Sequence, residues 1–155
     1  MNKFLSLFFV ISLFTLSSDA KPTEKQVRAF FYSYVTAVNA YSPDIFSKYY
    51  IPNATIYRVV QKKDGTTQRV TVPMSIYQNE SKKGEKLAKF VKYTNDYANI
   101  KITPQNNDFR IDAVRKPSMG GSFPAYFVIG EDSNGNLKIK VESMNTPRQE
   151  FLQKQ

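Results

Sequence analysis

The sequence predicts an α+β domain in which N-terminal helices pack in the concavity of a strongly curved antiparallel sheet. Apolar residues recur with helical spacing after residue 23, the period becomes that of strands from Ala54, and most of the second half is strand-like. Of its 155 residues, 41% are hydrophobic and 23% charged, as expected for one ordinary domain. We find no internal repeat, linker or low-complexity tract.

The first twenty residues have the pattern of a secretory signal peptide. A short positive start precedes an apolar stretch over 4–16, and Ser18 and Ala20 place small residues at positions −3 and −1 of a cleavage site. The stretch is shorter than the roughly 20 apolar residues that a membrane-spanning helix needs. We therefore expect residues 21–155 to form a single secreted or periplasmic domain without a transmembrane span.

The first two helices are predicted from their caps and their apolar spacing. Thr23 and Gln26 have the spacing of a capping box. Apolar residues then form one wide, core-facing stripe: Val27, Phe30, Phe31, Tyr34, Val35, Val38 and Tyr41. Ser42 as N-cap and Pro43 at the first helical position predict a second, short helix that Pro52 ends.

A β-hairpin is predicted around Asp64-Gly65, a dipeptide typical of two-residue turns. In this register Val59 lies opposite Val70 and Tyr57 lies opposite Val72, so these four side chains are predicted to be buried. A third helix is predicted next, over residues 81–97. Its core-facing side is predicted to consist of Leu87, Phe90, Val91 and Thr94, with lysines around the other side.

The remaining strands are predicted from alternating or continuous apolar runs over residues 98–103, 109–115, 125–129 and 137–144. The last run alternates cleanly. Its predicted core face is Leu137, Ile139 and Val141, and its predicted solvent face is Lys138, Lys140 and Glu142. The stretch 115–124, which contains Gly120-Gly121, is predicted to be a mobile loop.

Three stretches carry a resemblance to a known superfamily: VRAFFYSYVTAVNAY, DIFSKYYIPNATIY and AYFVIGEDSNGNLKIKVESM. In their order and pattern they resemble the nuclear transport factor 2-like superfamily, also called SnoaL-like or cystatin-like. The resemblance spans residues 23–144 and implies a cone, in which one long and two shorter helices lie inside a bent sheet. Members of that superfamily often pair through the outer face of the sheet, but the residues predicted for this face, Lys138, Lys140 and Glu142, neither require nor exclude a homodimer.

The aromatic residues are the candidate ligand-binding site. Apolar walls with hydroxyl tips suit a small apolar ligand or a partner segment. The residues predicted to line such a cone are Tyr34, Tyr49, Tyr50, Tyr57 and Tyr126, with the 115–124 loop at its open end. The same residues equally suit a filled core in a chain without Trp, and the sequence leaves both interpretations open.

The absence of Cys, His and Trp excludes many catalytic chemistries. It removes disulfides, thiolate and imidazole metal ligands, and Ser-His-Asp or Cys-His nucleophile systems, so we predict no metal and no cofactor. Enzymes of the resembled superfamily use carboxylates, tyrosines and often a histidine. We therefore expect a non-catalytic binding or interaction module. A His-independent isomerase or lyase is the alternative, with Asp112 as its candidate base even though strand alternation points that residue outward.

The basic excess of the chain predicts an attraction to acidic surfaces. There are 22 Lys and Arg against 13 Asp and Glu, a formal net charge of +9, and Lys82, Lys86 and Lys89 share one helix. Because arginine is scarce and exposed aromatics are not interleaved with it, we predict no specific nucleic-acid binding. A further alternative is an envelope or secretion-associated protein, or an effector, that docks on an acidic surface. Asn53 and Asn79 match glycosylation acceptors, which matter only in a eukaryotic host.

Overall fold

The computed structural model describes residues 21–153, so the predicted signal peptide lies outside the described residues. Within this range three α-helices, six strands and a final 3₁₀ helix follow one another along the chain. Their order is α1 (Glu24–Asn39), α2 (Ile45–Tyr49), β1 (Tyr50–Gln61), β2 (Thr67–Val72), α3 (Met74–Phe90), β3 (Asn95–Gln105), β4 (Asp108–Pro117), β5 (Phe123–Glu131), β6 (Leu137–Thr146) and the 3₁₀ helix (Gln149–Gln153).

The six strands form one open, curved sheet in the order β2-β1-β6-β5-β4-β3, and the helices pack on its concave side. The predicted α+β fold class is therefore confirmed. One detail was wrong, because β1 runs parallel to β6 and the sheet is mixed rather than wholly antiparallel. Irregular register in β1, β3 and β6 accompanies the curvature, since bulges bend strands and increase their twist.

Helix α1 confirms the predicted cap and the predicted apolar face. The Thr23 hydroxyl accepts from the Gln26 amide at 3.3 Å, and the Gln26 side chain accepts from the Thr23 amide at 2.8 Å. Phe31 and Tyr34 are buried against the sheet, where their ring centroids lie 5.0 and 5.8 Å from that of Phe127. Packing of this face fixes α1 inside the curve of the sheet.

The other two helices differ from the prediction. Helix α2 begins at Ile45 after Asp44, so the predicted Ser42 cap was wrong. Helix α3 begins directly after Pro73, seven residues earlier than predicted, and ends at Phe90. Its first half packs on the core through Ile76 and Tyr77, whereas the predicted core face, Leu87, Phe90 and Val91, is exposed.

The turn between β1 and β2 is longer than predicted. Lys62 donates its amide to the Thr66 carbonyl at 2.7 Å, and Gly65 donates to the Lys62 carbonyl at 3.1 Å. Three residues therefore lie between the closing pair instead of two. Gly65 has a φ of +85°, which suits glycine at the left-handed position of such a turn.

The longer turn shifts the hairpin register by one residue. Arg58 lies opposite Val70 and Ile56 opposite Val72, so the predicted partners were wrong. A shift of one residue exchanges the two faces of a strand, because side chains alternate. Ile56 and Arg58 consequently face the concave side and are buried, while Tyr57 faces the outer side.

A β-bulge in β6 exchanges its faces in the same way. Residues 128 and 129 of β5 pair with Val141 and Ile139, which leaves Lys140 as the extra residue of β6. Up to Ile139 the odd-numbered side chains face the concave side, and after the bulge the even-numbered ones do. Glu142 therefore points into the concave side, with 0% exposure. The predictions that Val141 is core and that Glu142 faces solvent were both wrong.

The loop between β4 and β5 is shorter than predicted. Residues 115–117 continue β4 and residues 123–124 begin β5, so only residues 118–122 connect the strands. Arg115 pairs with Phe123 across the two strands. Among the described helices, none is both long enough and apolar enough to cross a membrane.

Candidate functional site

The candidate site is a buried group of polar side chains between the helices and the sheet, here called the Glu142 cluster. Its charged members are Arg58, with 6% exposure, and Glu142, with 0%. Nη2 of Arg58 lies 2.8 Å from Oε1 of Glu142. Its other members are three tyrosines, one from each of α1, β1 and α3: Tyr34, Tyr50 and Tyr77.

The strand registers place the carboxylate among apolar side chains. Glu142 lies directly between Ile56 of β1 and Phe127 of β5, and both neighbours have 0% exposure. Arg58 is two residues beyond Ile56 on the same face of β1. Burying either charge alone costs several kcal/mol, on the order of a whole domain's margin of stability, so neither charge can be buried here without the other.

The three phenols bind the second carboxylate oxygen. Tyr50 donates a short hydrogen bond to Oε2 of Glu142, and the hydroxyls of Tyr77 and Tyr34 lie 3.3 and 3.4 Å from the same atom. The Tyr34 and Tyr50 hydroxyls are also 2.8 Å apart. Among the described residues Oε1 receives no hydrogen bond of good geometry, so its compensation comes from the charge of Arg58. One carboxylate of β6 is therefore hydrogen-bonded to α1, to β1 and to α3.

The protonation states of the cluster follow from burial and from the neighbouring carboxylate. Burial, reinforced by the negative charge of Glu142, raises the pKa of Tyr34 and of Tyr50 well above the ordinary value. The same two causes raise the pKa of Tyr77 to about 12. Burial alone would lower the pKa of Arg58, but the carboxylate outweighs it and the net change is upward. At neutral pH the phenols are hydrogen-bond donors and Arg58 is a cation.

Aromatic rings fill the space around the cluster. The ring centroid of Tyr50 lies 5.9 Å from Tyr34 and 5.6 Å from Phe46, and Phe46 lies 5.5 Å from Tyr77. The Arg58 guanidinium stacks 4.7 Å from the centroid of the Tyr77 ring. These contacts are those of a packed core. Both oxygens of the Glu142 carboxylate have partners in it, since Oε1 faces Arg58 and Oε2 faces the three phenols.

Two surface pockets lie away from the cluster. One, of about 610 Å³, opens between α1, α2 and the turn before β6, and its lining includes Phe30, Tyr49 and Leu137. The other, of about 260 Å³, lies beside the β4–β5 loop and includes Phe123 and Pro124. Neither pocket is lined by a residue of the Glu142 cluster.

Three of the five predicted ligand-binding tyrosines come together inside the cone. Tyr34 and Tyr50 belong to the Glu142 cluster, and the Tyr49 ring lies 5.6 Å from that of Tyr34. The Tyr49 hydroxyl is 2.8 Å from that of Ser33. Tyr49 also borders the larger of the two pockets, and none of the other four predicted tyrosines lines either one.

The other two predicted tyrosines lie on the outer face of the sheet. Tyr57 and Tyr126 flank Ser143 in one row across β1, β6 and β5. Arg69 stacks over the Tyr57 ring at 4.7 Å, and Arg110 stacks over the Tyr126 ring at 4.0 Å. The five tyrosines predicted to line one site therefore lie on opposite faces of the sheet.

The remaining candidate residues are on the surface. Asp112 is half exposed on the outer face, as predicted, and its carboxylate accepts from Nε and Nη2 of Arg110 at 3.0 and 2.7 Å. Lys82, Lys86 and Lys89 are exposed on α3, as predicted. Within residues 21–153, no group of three or more Asp or Glu side chains is arranged to hold a metal ion.

Sequence reasoning missed Arg58, Glu142 and Tyr77. The first two were assigned to the solvent side because the hairpin turn and the β6 bulge each shift a strand by one residue. Tyr77 lies before the predicted start of the third helix. Pro73 was the available signal, because a proline favours the first turn of a helix.

Comparison with known proteins identifies the fold of the chain but not its function. No protein-family model and no curated protein matches the chain. Among solved structures, an NTF2-like protein from Cytophaga hutchinsonii ATCC 33406 has a TM-score of 0.59 at 10% identity, covering 81% of this chain and 99% of that one. This chain has the NTF2-like fold.

Two other structures with the NTF2-like arrangement show how little the fold says about activity. A CaMKII hub from S. rosetta has a TM-score of 0.57 at 12% identity, over 81% of this chain and 96% of the hub. A ketosteroid isomerase-like protein from Shewanella frigidimarina NCIMB 400 has a TM-score of 0.52 at 15% identity, over 75% and 91%. The fold thus occurs in a CaMKII hub and in an isomerase-like protein, so it does not by itself assign a function to this chain.

Proposed function

We propose that the protein is an exported, non-catalytic binding module that contacts acidic surfaces through the lysines of α3. The observation that carries this proposal is the Glu142 cluster, in which the buried carboxylate is already bound by Arg58 and by three phenols. Aromatic rings pack around the cluster, and the carboxylate has 0% exposure to solvent. The binding surface is therefore assigned to the outside of the molecule.

The charge of α3 supports this assignment. Lys82 and Lys86 are exposed and form no ion pair with any residue in 21–153, so their charge is available to a partner. We expect Lys82→Glu combined with Lys86→Glu to weaken binding to heparin, a soluble acidic polymer, at least tenfold. Lys25→Glu combined with Lys63→Glu, two exposed changes on α1 and the β1–β2 turn, is the control with the same change of net charge. Equal binding by all variants would refute the proposal.

Export is the second part of the proposal, and it rests on the pattern of residues 1–20. The full chain, expressed in a bacterium with an intact secretion pathway, should accumulate outside the cytoplasm. Its N-terminal sequence should begin at Lys21. Recovery in the cytoplasm with Met1 or Asn2 at the N-terminus would contradict this part.

A catalytic role for Glu142 is the competing candidate, favoured by its burial beside phenolic proton donors. The chemistry to test is proton transfer on a ketosteroid, since one NTF2-like neighbour is described as ketosteroid isomerase-like. We expect no isomerisation above the uncatalysed rate. Turnover that disappears in Glu142→Gln, while the variant remains folded, would overturn the non-catalytic assignment.

A second copy of this chain is the partner proposed for the outer face of the sheet. The Tyr57, Ser143 and Tyr126 row lies on this face, together with the half-exposed Val128 and Val141. A hub with the same fold gives further support for assembly. Val128→Lys should convert a dimer to a monomer in sedimentation experiments, whereas Gln105→Lys at the sheet edge should not. A wild-type monomer would refute this pairing.

A further inference from the structure

Large apolar side chains are exposed together at one end of the molecule. Phe90 is 84% exposed, Met119 73%, Leu87 66% and Val91 40%, and we call these four residues the apolar tip. A single exposed apolar side chain is ordinary, but a group of four in one region marks an interaction surface.

The apolar tip is formed by two segments that are joined to each other. Leu87, Phe90 and Val91 are spaced i, i+3 and i+4, so they share one side at the end of α3. Met119 follows Ser118, which accepts from the Thr94 amide at 3.0 Å through its hydroxyl and donates its own amide to the Thr94 carbonyl at 2.9 Å.

The end of α3 is also tied to the body of the domain. The Tyr41 hydroxyl from the end of α1 donates to the Ala88 carbonyl at 3.0 Å and lies close to the Tyr93 carbonyl. The Arg115 guanidinium donates to the Tyr93 hydroxyl at 3.0 Å and to the Asn95 side chain at 3.1 Å. The apolar tip is therefore presented in a fixed position, although α3 buries no residue fully.

Basic side chains surround the apolar tip. Residues 82–92 contain one glutamate, Glu85, which is paired with Lys89. The same eleven-residue segment contains five lysines, all exposed: Lys82, Lys83, Lys86, Lys89 and Lys92. Lys116, also exposed, pairs with Asp96 in the strand register next to the loop that carries Met119. The surface therefore combines bulky apolar groups with an excess of positive charge.

We propose that the apolar tip and its lysines dock on an anionic phospholipid bilayer. Phe90 and Leu87 enter the boundary between headgroups and acyl chains, while the lysines contact lipid phosphates. A soluble acidic polymer can bind only the lysines, whereas an anionic bilayer can bind the lysines and also bury the apolar side chains of the tip. The inference rests on the proposed function, because it identifies the acidic surface that α3 contacts.

Insertion of Phe90 is tested with the exported protein, which is expected to begin at Lys21, and with a single tryptophan, since the chain has none of its own. The variant Phe90→Trp should show a blue shift of its emission on addition of phosphatidylglycerol vesicles, and a smaller or no shift with phosphatidylcholine vesicles. Tyr32→Trp is the matched control, because Tyr32 is 51% exposed on α1, outside the apolar tip. A blue shift in the control as large as that of Phe90→Trp would contradict docking through the tip.

Co-sedimentation with phosphatidylglycerol vesicles separates this inference from the proposed function. Phe90→Ser with Leu87→Ser should bind vesicles at least tenfold more weakly and bind heparin as wild type does. Vesicle binding that is unchanged in this variant, but lost in Lys82→Glu with Lys86→Glu, would overturn the lipid inference and leave acidic docking standing. Loss of a dimer in the serine variant, with unchanged vesicle binding, would mean that a second copy covers the tip and would equally overturn the inference.

Discussion

Arg58 of β1 and Glu142 of β6 form an ion pair with 2.8 Å between Nη2 and Oε1, and both side chains are buried. Because the carboxylate also accepts hydrogen bonds from Tyr34 of α1 and Tyr77 of α3, the pair joins the sheet to the helices that cover it. A buried pair of this kind adds little compared with apolar packing, yet losing one partner leaves an uncompensated charge. Removing one member of the pair is thus expected to destabilise the fold strongly.

Glu142→Gln should lower the free energy of unfolding by about 3–5 kcal/mol, because it leaves the Arg58 cation buried without its counter-charge. The measurement is urea denaturation followed by circular dichroism. The control is Glu131→Gln, an exposed change at the end of β5, which should alter stability by less than about 0.5 kcal/mol. A loss below about 1 kcal/mol for Glu142→Gln would show that the pair is not what holds the interior together.

Removing both charges should cost less than removing one. In Arg58→Met combined with Glu142→Leu no buried charge is left unpaired, so the double variant should recover most of the stability lost in either single variant. A double-mutant cycle of denaturation midpoints measures this coupling. Additive losses would mean that the two side chains act independently.

Stability should fall in alkaline solution. The folded-state pKa of Tyr77 is about 12, and those of Tyr34 and Tyr50 are also raised, whereas an unfolded tyrosine titrates near about 10. A raised folded pKa contributes stability that is complete below the unfolded pKa and is lost as pH rises toward the folded value. The free energy of unfolding should therefore decrease above about pH 10, by up to about 1.4 kcal/mol per pH unit for each such tyrosine.

Tyr77→Phe tests the origin of this alkaline loss, because it removes one titrating phenol from the cluster. Denaturation at several pH values should give a shallower decrease between about pH 10 and pH 12 than in the wild type. An unchanged slope would assign the effect to groups outside the Glu142 cluster.

The exposed residues of the apolar tip should contribute little to folding. Leu87→Ser should change the free energy of unfolding by less than about 0.5 kcal/mol, since Leu87 is 66% exposed. Ile56→Ala, at a position with 0% exposure, should cost about 2–5 kcal/mol. Thermal denaturation of both variants checks this difference, and a large loss in Leu87→Ser would place that side chain in the core.

The sequence was sufficient for the fold class, for the element order and for α1 with its capping box. These follow from signals within a few residues of each other, such as the spacing of Phe31 and Tyr34 or the pairing of Thr23 with Gln26. The two charged residues of the cluster, Arg58 and Glu142, could not be assigned in the same way. Their faces depend on a three-residue turn ahead of Thr66 and on one extra residue at Lys140, and neither alters the apparent alternation of the strands.

The exposure of the apolar residues at the end of α3 could not be predicted from the sequence either. The spacing of Leu87, Phe90 and Val91 is that of a core-facing helix, and only the tertiary structure reveals that nothing within residues 21–153 covers them. An apolar stripe indicates a surface that packs against something, but the stripe alone does not distinguish the core of the same chain from a partner or a membrane.

Backbone amide NMR of the protein with phosphatidylglycerol bicelles decides whether the outside of the molecule binds lipid while the interior of the cone is a closed core. We expect chemical-shift changes confined to residues 82–94 and to the loop 118–122. Changes centred on Tyr34, Tyr50 and Glu142, or a spectrum unaltered by the lipid, would contradict this expectation.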